Sequence, residues 1–299
     1  MTRPTAILVL AAVSIHVPAF AKDKKKDPAQ IGDRNVSKGL NFYSLDQEIA
    51  LGKQLSIEVE KQAKIVDDPI ISEYINRLGQ NLARNSDVTF PVTFKLIEAD
   101  EINAFTLPGG YVFINTGLLE LSSDEAELAS AIAHEIGHAA ARHATRQASR
   151  NQLVNLGTLP LAILGGPALR VAMNAAMPMA YMRFSREFET EADLLGLQYL
   201  WKSGYDPSAT VDLFEALAST EKRQPGSVSK LFRSHPLTPD RIEKTQKNID
   251  MLLPSRPQYV LNTSEYEEIR ARLEALSKNP PAGLNVPQLR WADSVAERP

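Results

Sequence analysis

Within "ASAIAHEIGHAAARHATRQ" (129–147), His134, Glu135 and His138 stand as H-E-x-x-H. A four-residue step on an α-helix turns about 400°, so the two imidazoles leave one face roughly 6 Å apart along the axis. That geometry can set two nitrogens on one zinc ion, with Glu135 beside them to take a proton from a water on the metal. Chance produces the pattern in roughly one chain of this length in a hundred, so an ordinary alanine-rich helix is the weaker explanation. Gly137 costs about 1 kcal/mol in a helix interior, and its missing side chain predicts close approach by another element.

Two histidines leave a catalytic zinc one protein ligand short. His143 follows five residues after His138, and Ala141 stands where a metzincin carries glycine. On a continuing helix its ring points about 140° away from His138, so His143 is expected to support a ligand rather than to be one. The chain has no cysteine, which excludes a thiolate site and any disulfide. Better donors lie in "SREFETEADLLGLQYL" (185–200), where Glu189 and Asp193 are four apart on one helical face. One carboxylate can ligate zinc while the other orients a ligand histidine through its second ring nitrogen. Spacing alone does not separate Glu189 from Glu187 or Glu191, although a solvated acidic face accounts for those two.

The elements that must position these residues are legible upstream. Ser44 and Gln47 form a capping box before Leu45, Ile49, Gly52, Leu55 and Val59 at helical spacing. A second helix follows "DDP", with Pro69 in its first turn and Ile71, Ile75, Leu78 and Leu82 facing inward. "VTFPVTFKLIEA" (88–99) reads as strand, and a Pro-Gly-Gly turn leads into a second strand, Tyr111 to Asn115. Ser122 with Glu125 starts the histidine helix, and a last short helix covers about Glu265–Leu276. The fold class is α+β, mostly α, with one small sheet before the histidine helix.

Taken together, "HEIGH" (134–138), "EFETEAD" (187–193) and "NAFTLPGGYVFINTGLL" (103–119) resemble the zinc metallopeptidases of gluzincin type that include HtpX-type membrane proteases, CAAX prenyl proteases and soluble exported members. The resemblance implies a zincin-like domain holding one zinc ion per chain. It implies His134, His138 and Glu189 as ligands, Asp193 behind them, and Glu135 as general base. In "SHPLTPDRI" (234–242), His235 matches a histidine that takes the fourth zinc position and restrains the enzyme, and Arg241 matches an arginine near the site, assigned here to the oxyanion. Asn103, Ala104 and Phe105 with Tyr111, Val112 and Phe113 resemble a substrate edge, where an extended peptide adds as a further strand. The implied substrates are unfolded or unassembled envelope proteins.

Arg3, an apolar run from Ala6 to Val17 and Ala19-Phe20-Ala21 read as a signal peptide over 1–21, which places the chain in the periplasm. Residues 22–43 read as a charged linker, 44–253 as the metallopeptidase domain, and 254–299 as a C-terminal helix with a Pro-rich tail. The formal net charge is −3 and no basic stripe occurs, so no nucleic-acid partner is expected. Segment 153–182 is apolar but broken by Pro160, Gly165, Gly166, Pro167 and Pro178. It reads as a lid-like helical hairpin, with peripheral membrane contact as the alternative. Two other functions fit parts of this pattern: a non-catalytic envelope chaperone with a latched zinc, and a membrane-associated processing protease. Glu135 argues against the first, because a structural metal needs no general base.

Overall fold

A reciprocal pair of hydrogen bonds opens the first helix: Gln47 N donates to Ser44 Oγ, and Ser44 N donates to Gln47 Oε1 at 2.9 Å. The computed structural model describes residues 24–156, 184–225, 231 and 234–278. The expected signal peptide, residues 157–182 of the apolar segment and the Pro-rich tail from 279 lie outside the described residues. In chain order the helices before the sheet are α1 (Leu45–Gln62) and α2 (Pro69–Arg84). Asp68 caps α2 by accepting from Ile70 N and Ile71 N, with Pro69 at the position where its missing N–H costs nothing.

The sheet has three strands, β1 (Thr93–Ile97), β2 (Ala104–Leu107) and β3 (Tyr111–Asn115), in the order β1-β3-β2. β1 runs parallel to β3 and β2 antiparallel to it, with Phe105 opposite Phe113 and their rings stacked at 5.3 Å. The strand expected over 88–99 is shorter, because Pro91 has no N–H to contribute to a ladder. Gly109 and Gly110, at φ +71° and +86°, make the tight link between β2 and β3. β3 is therefore the central strand. Tyr111, Val112 and Phe113 do not form the expected edge, because both ladders of β3 are already taken and the outer strands are β1 and β2.

Helix α3 (Thr116–Leu121) leads to α4 (Glu125–Ala140), which carries H-E-x-x-H. Asp124 rather than Ser122 caps α4, accepting from Glu127 N at 2.9 Å, while Ser122 Oγ donates back to Leu118 O in α3. Fourteen of the sixteen residues of α4 are buried, so it needs small side chains on every face. The chain breaks after Ala140: Arg142 adopts φ +56°, and α5 (His143–Leu156) starts anew. Glu48 holds this left-handed residue, accepting from Arg142 Nε at 2.6 Å, and Tyr43 O accepts from Arg142 Nη2 at 2.8 Å.

Among the described residues four further helices follow: α6 (Arg186–Lys202), α7 (Ala209–Arg223), α8 (Pro239–Leu252) and α9 (Ser264–Lys278). One hydrophobic core joins α2, the sheet, α4, α6 and α7. It also takes in Tyr266, Ile269 and Leu273 of α9, so the C-terminal helix is part of the same packed body. The stretch expected to be a charged linker is docked as well. Two 3-10 turns, Lys24–Lys26 and Pro28–Gln30, precede buried Ile31, Arg34 and Val36. Arg34 Nε donates to Asp87 Oδ2 at 2.9 Å and Arg34 Nη1 to Gln198 Oε1 at 2.8 Å. The lysines hid a segment whose apolar residues join the core and whose arginine finds partners more than fifty residues away. Among the described residues no helix is long and apolar enough to cross a membrane.

Candidate metal centre

Helices α4 and α6 cross where each has lost a side chain. A Cβ on Gly137 would stand 2.9 Å from Ala192 O, and one on Gly196 would stand 2.8 Å from the backbone N of His134. Backbones this close bring the side chains of the two helices onto common ground. His134 and His138 project from α4, and Glu189 and Asp193, one turn apart, project from α6. The segment before α8 brings in His235, so that His134, His138, Glu189 and His235 each offer one ligand atom, all within 4.8 Å of one another.

The separations of those atoms test whether an ion fits. A tetrahedral zinc with bonds of about 2.05 Å separates its ligand atoms by about 3.3 Å. Here His138 Nε2 lies 3.0 Å from His134 Nε2, and His134 Nε2 lies 3.4 Å from His235 Nδ1. Glu189 Oε1 lies 3.5 Å from His138 Nε2 and 3.1 Å from His235 Nδ1. The four groups have the spacing, and the mixture of imidazole and carboxylate, that one zinc ion requires.

Electrostatics agree with the geometry. Burial, reinforced by His134, holds the His138 pKa well below its ordinary value, keeping the imidazole neutral as a ligand must be. Burial alone would raise Glu189, but His235, His134 and Arg241 outweigh it and hold the carboxyl down. Burial likewise opposes the charge on His235, and Glu189 and Glu135 overcome it, so His235 is raised. Asp193 is ionised far below the usual carboxylate range, because Arg241 and His134 outweigh its burial. Its Oδ1 lies 3.0 Å from His134 Nδ1, which leaves Nε2 of that ring facing the cluster.

Glu135 meets the cluster at His235. Its Oε1 is 3.5 Å from His235 Nε2, and its Oε2 is buried with no hydrogen-bond partner among the described residues. Thr106 of β2 donates to Glu135 O at 3.0 Å, tying the edge strand to the helix. A cleft opens beside His134 and Glu135, walled by Ala104, Leu213, Phe214 and Leu237.

A family model described as Peptidase family M48 matches residues 69–249, more than half of the chain. The chain belongs to this family. The M48 match runs from α2 into α8 and so includes all four residues of the cluster. M48 metallopeptidases use zinc, in keeping with the donor set. The chain is 30% identical over 277 residues to the beta-barrel assembly-enhancing protease of Escherichia coli (strain K12), covering 88% of this chain and 55% of that protein. It is 31% identical over 251 residues to the protein of the same name from Yersinia pestis, covering 80% and 51%. A third M48 relative is the mitochondrial metalloendopeptidase OMA1 of Saccharomyces cerevisiae, 34% identical over 150 residues, covering 48% and 43%. The chain spans about half the length of the curated relatives it matches.

Three residues sit differently from expectation. Arg241 was assigned to an oxyanion, yet its guanidinium is spent on the protein. Nε and Nη2 donate to Asp193 at 2.8 and 2.7 Å, and Nη1 lies 3.0 Å from Glu189 Oε2 and 3.1 Å from Pro236 O. His143 does lie behind His138, the two Nδ1 atoms 2.9 Å apart, but through the turn at Arg142 rather than along a continuing helix. Glu191 is no solvated acid: it meets Lys25, His143 and Arg146. Two residues from Glu189 is about 200° around the helix, so it faces another neighbour, and that neighbour comes from a distant part of the chain.

Proposed function

We propose that this chain is an exported zinc endopeptidase of the periplasm, acting on unfolded or unassembled envelope proteins and restrained by His235. The observation that carries the reading is Glu135: a buried carboxylate with one oxygen 3.5 Å from His235 of the metal-binding cluster and the other without a hydrogen-bond partner among the described residues. A structural metal centre needs no such group. The names of the relatives, a beta-barrel assembly-enhancing protease and a metalloendopeptidase, support the class of reaction and the envelope setting. An amino-terminal signal peptide over 1–21 supplies the route.

His134, His138 and Glu189 hold the ion. Zinc, when bound, supplies a Lewis acid that polarises the scissile carbonyl and makes an attacking water more acidic. Glu135 accepts the proton of that water and passes it to the leaving amine. The substrate lies extended along the outer edge of β2, over Asn103, Ala104 and Phe105, so that main-chain hydrogen bonds supply much of the grip. Arg241 keeps Asp193 and Glu189 charged instead of meeting the substrate. His235 stands between the ligand set and Glu135, 3.4 Å from His134 and 3.5 Å from Glu135. In that place it would bar a water from the space beside Glu135 when zinc is held, and its departure would open the site.

The test compares zinc-loaded wild type with Glu135→Gln and His235→Ala on a denatured protein substrate, with zinc content measured for each. Glu135→Gln should keep zinc and lose cleavage by about 10²-fold or more, while His235→Ala should cleave faster. Full cleavage by zinc-loaded Glu135→Gln would end the mechanism; no gain in His235→Ala would end the restraint.

A further inference from the structure

Behind His138, on the side away from the cleft, a line of buried polar groups runs out to the amino-terminal segment. His138 Nε2 faces the other ligands, and its Nδ1 lies 2.9 Å from His143 Nδ1. The other nitrogen of His143, Nε2, lies 3.1 Å from Glu191 Oε2, and His143 is wholly buried. Glu191 is gripped from two sides, by Lys25 and by Arg146, whose Nη1 donates at 3.2 Å. Aromatic rings hold both imidazole planes: Phe184 stacks on His138 at 4.2 Å and Phe188 on His143 at 4.3 Å.

These contacts admit one arrangement of protons with both rings neutral. Two ring nitrogens 2.9 Å apart share a single proton. For His138 to present the Nε2 lone pair to a metal, its proton must sit on Nδ1, and His143 Nδ1 must accept it. His143 then carries its own proton on Nε2 and donates it to the Glu191 carboxylate. Glu191 is the acceptor here, its carboxylate ion-paired with Lys25 and with Arg146.

We infer that His143 and Glu191, fixed by Arg146 and by Lys25 of the amino-terminal segment, form a positioning relay that sets the tautomer and ring plane of His138 and so the affinity of the site for zinc. The inference rests on the assignment of His138 as a ligand and extends the metal centre to residues outside the ligand set. It also explains why the segment from Lys25 to Arg34 is docked, since its lysine is the outermost member of the relay. Arg34 ties that lysine in place, donating to Lys25 O at 2.7 Å.

The experiment measures zinc affinity by competition with a chelator, the visible spectrum of the cobalt-substituted protein, and melting of the metal-free protein. The variants are Glu191→Gln, His143→Gln and Lys25→Met. Glu191→Gln and His143→Gln should bind zinc about 10–100-fold more weakly, with shifted cobalt bands and metal-free melting close to wild type. Lys25→Met should lose roughly two- to fivefold, the scale of a partly exposed ion pair. Zinc affinity within twofold of wild type in folded Glu191→Gln would overturn the relay. So would a loss matched by equal destabilisation of the metal-free protein with an unaltered cobalt spectrum. If His143→Gln fails to fold, Glu191→Gln decides alone, since it is nearly isosteric. Glu135→Gln should bind zinc as wild type does, so failure of the relay and failure of the peptidase reading remain separate results.

Discussion

Gly196 lies against the backbone of His134: a Cβ built on it would stand 2.8 Å from both the N and the Cα of that residue. The contact joins the helix bearing Glu189 to the helix bearing His134 and His138 through main chain, which cannot move aside as a flexible side chain would. Gly196→Ala should therefore push α6 away from α4. The expected cost is about 1–3 kcal/mol of stability, read by urea unfolding of the metal-free protein, together with weaker zinc binding. Unchanged stability and affinity would mean that the helices separate freely at this point.

Arg241 is buried between Asp193 and Glu189, and those two carboxylates keep it charged despite its burial. Removing it leaves two buried acids without their cation. Arg241→Met should cost about 3–5 kcal/mol and should raise the pKa of Asp193, visible as a midpoint of acid unfolding moved to higher pH. If the variant unfolded like wild type at every pH, the pairing would be energetically idle. The stability loss separates this role from direct contact with a substrate.

Asp68 caps α2 and also accepts from Arg272 Nε of α9 at 2.9 Å through each carboxylate oxygen. The Arg272 hydrogen bond holds its pKa below the ordinary 3.8. A carboxyl depressed on folding contributes stability that is present above its unfolded value and is lost as pH falls through its folded value. Wild type should thus lose stability relative to Asp68→Asn below about pH 3.8. At neutral pH Asp68→Asn should be the weaker protein, and the two should converge as the pH falls. Parallel stability curves for the two proteins across this range would show that α9 is held by its apolar face alone.

Much of this fold was written in short-range signals. The capping box at Ser44, the proline that starts α2, the strand at Tyr111–Asn115 and the last helix depend on residues a few positions apart, and local sterics and hydrogen bonding suffice to set them. The same holds for one face of a helix: four-residue spacing puts His134 with His138 and Glu189 with Asp193 whatever surrounds them. The sequence by itself thus determined the pairs. What it could not determine was which pair meets which, and what stands behind them. Arg142 turns the chain because Glu48, 94 residues earlier, accepts its guanidinium. That turn brings His143 back to His138, and Glu191, which looked like a surface acid, becomes its partner. Segment 24–36 looked like a solvated linker until Asp87 and Gln198 accepted Arg34. β3 turned out to be central because β1 and β2 both pair with it. Each of these outcomes rests on a charge or a ladder satisfied by a residue far away in the chain, and only the packed structure brings such partners within hydrogen-bonding distance.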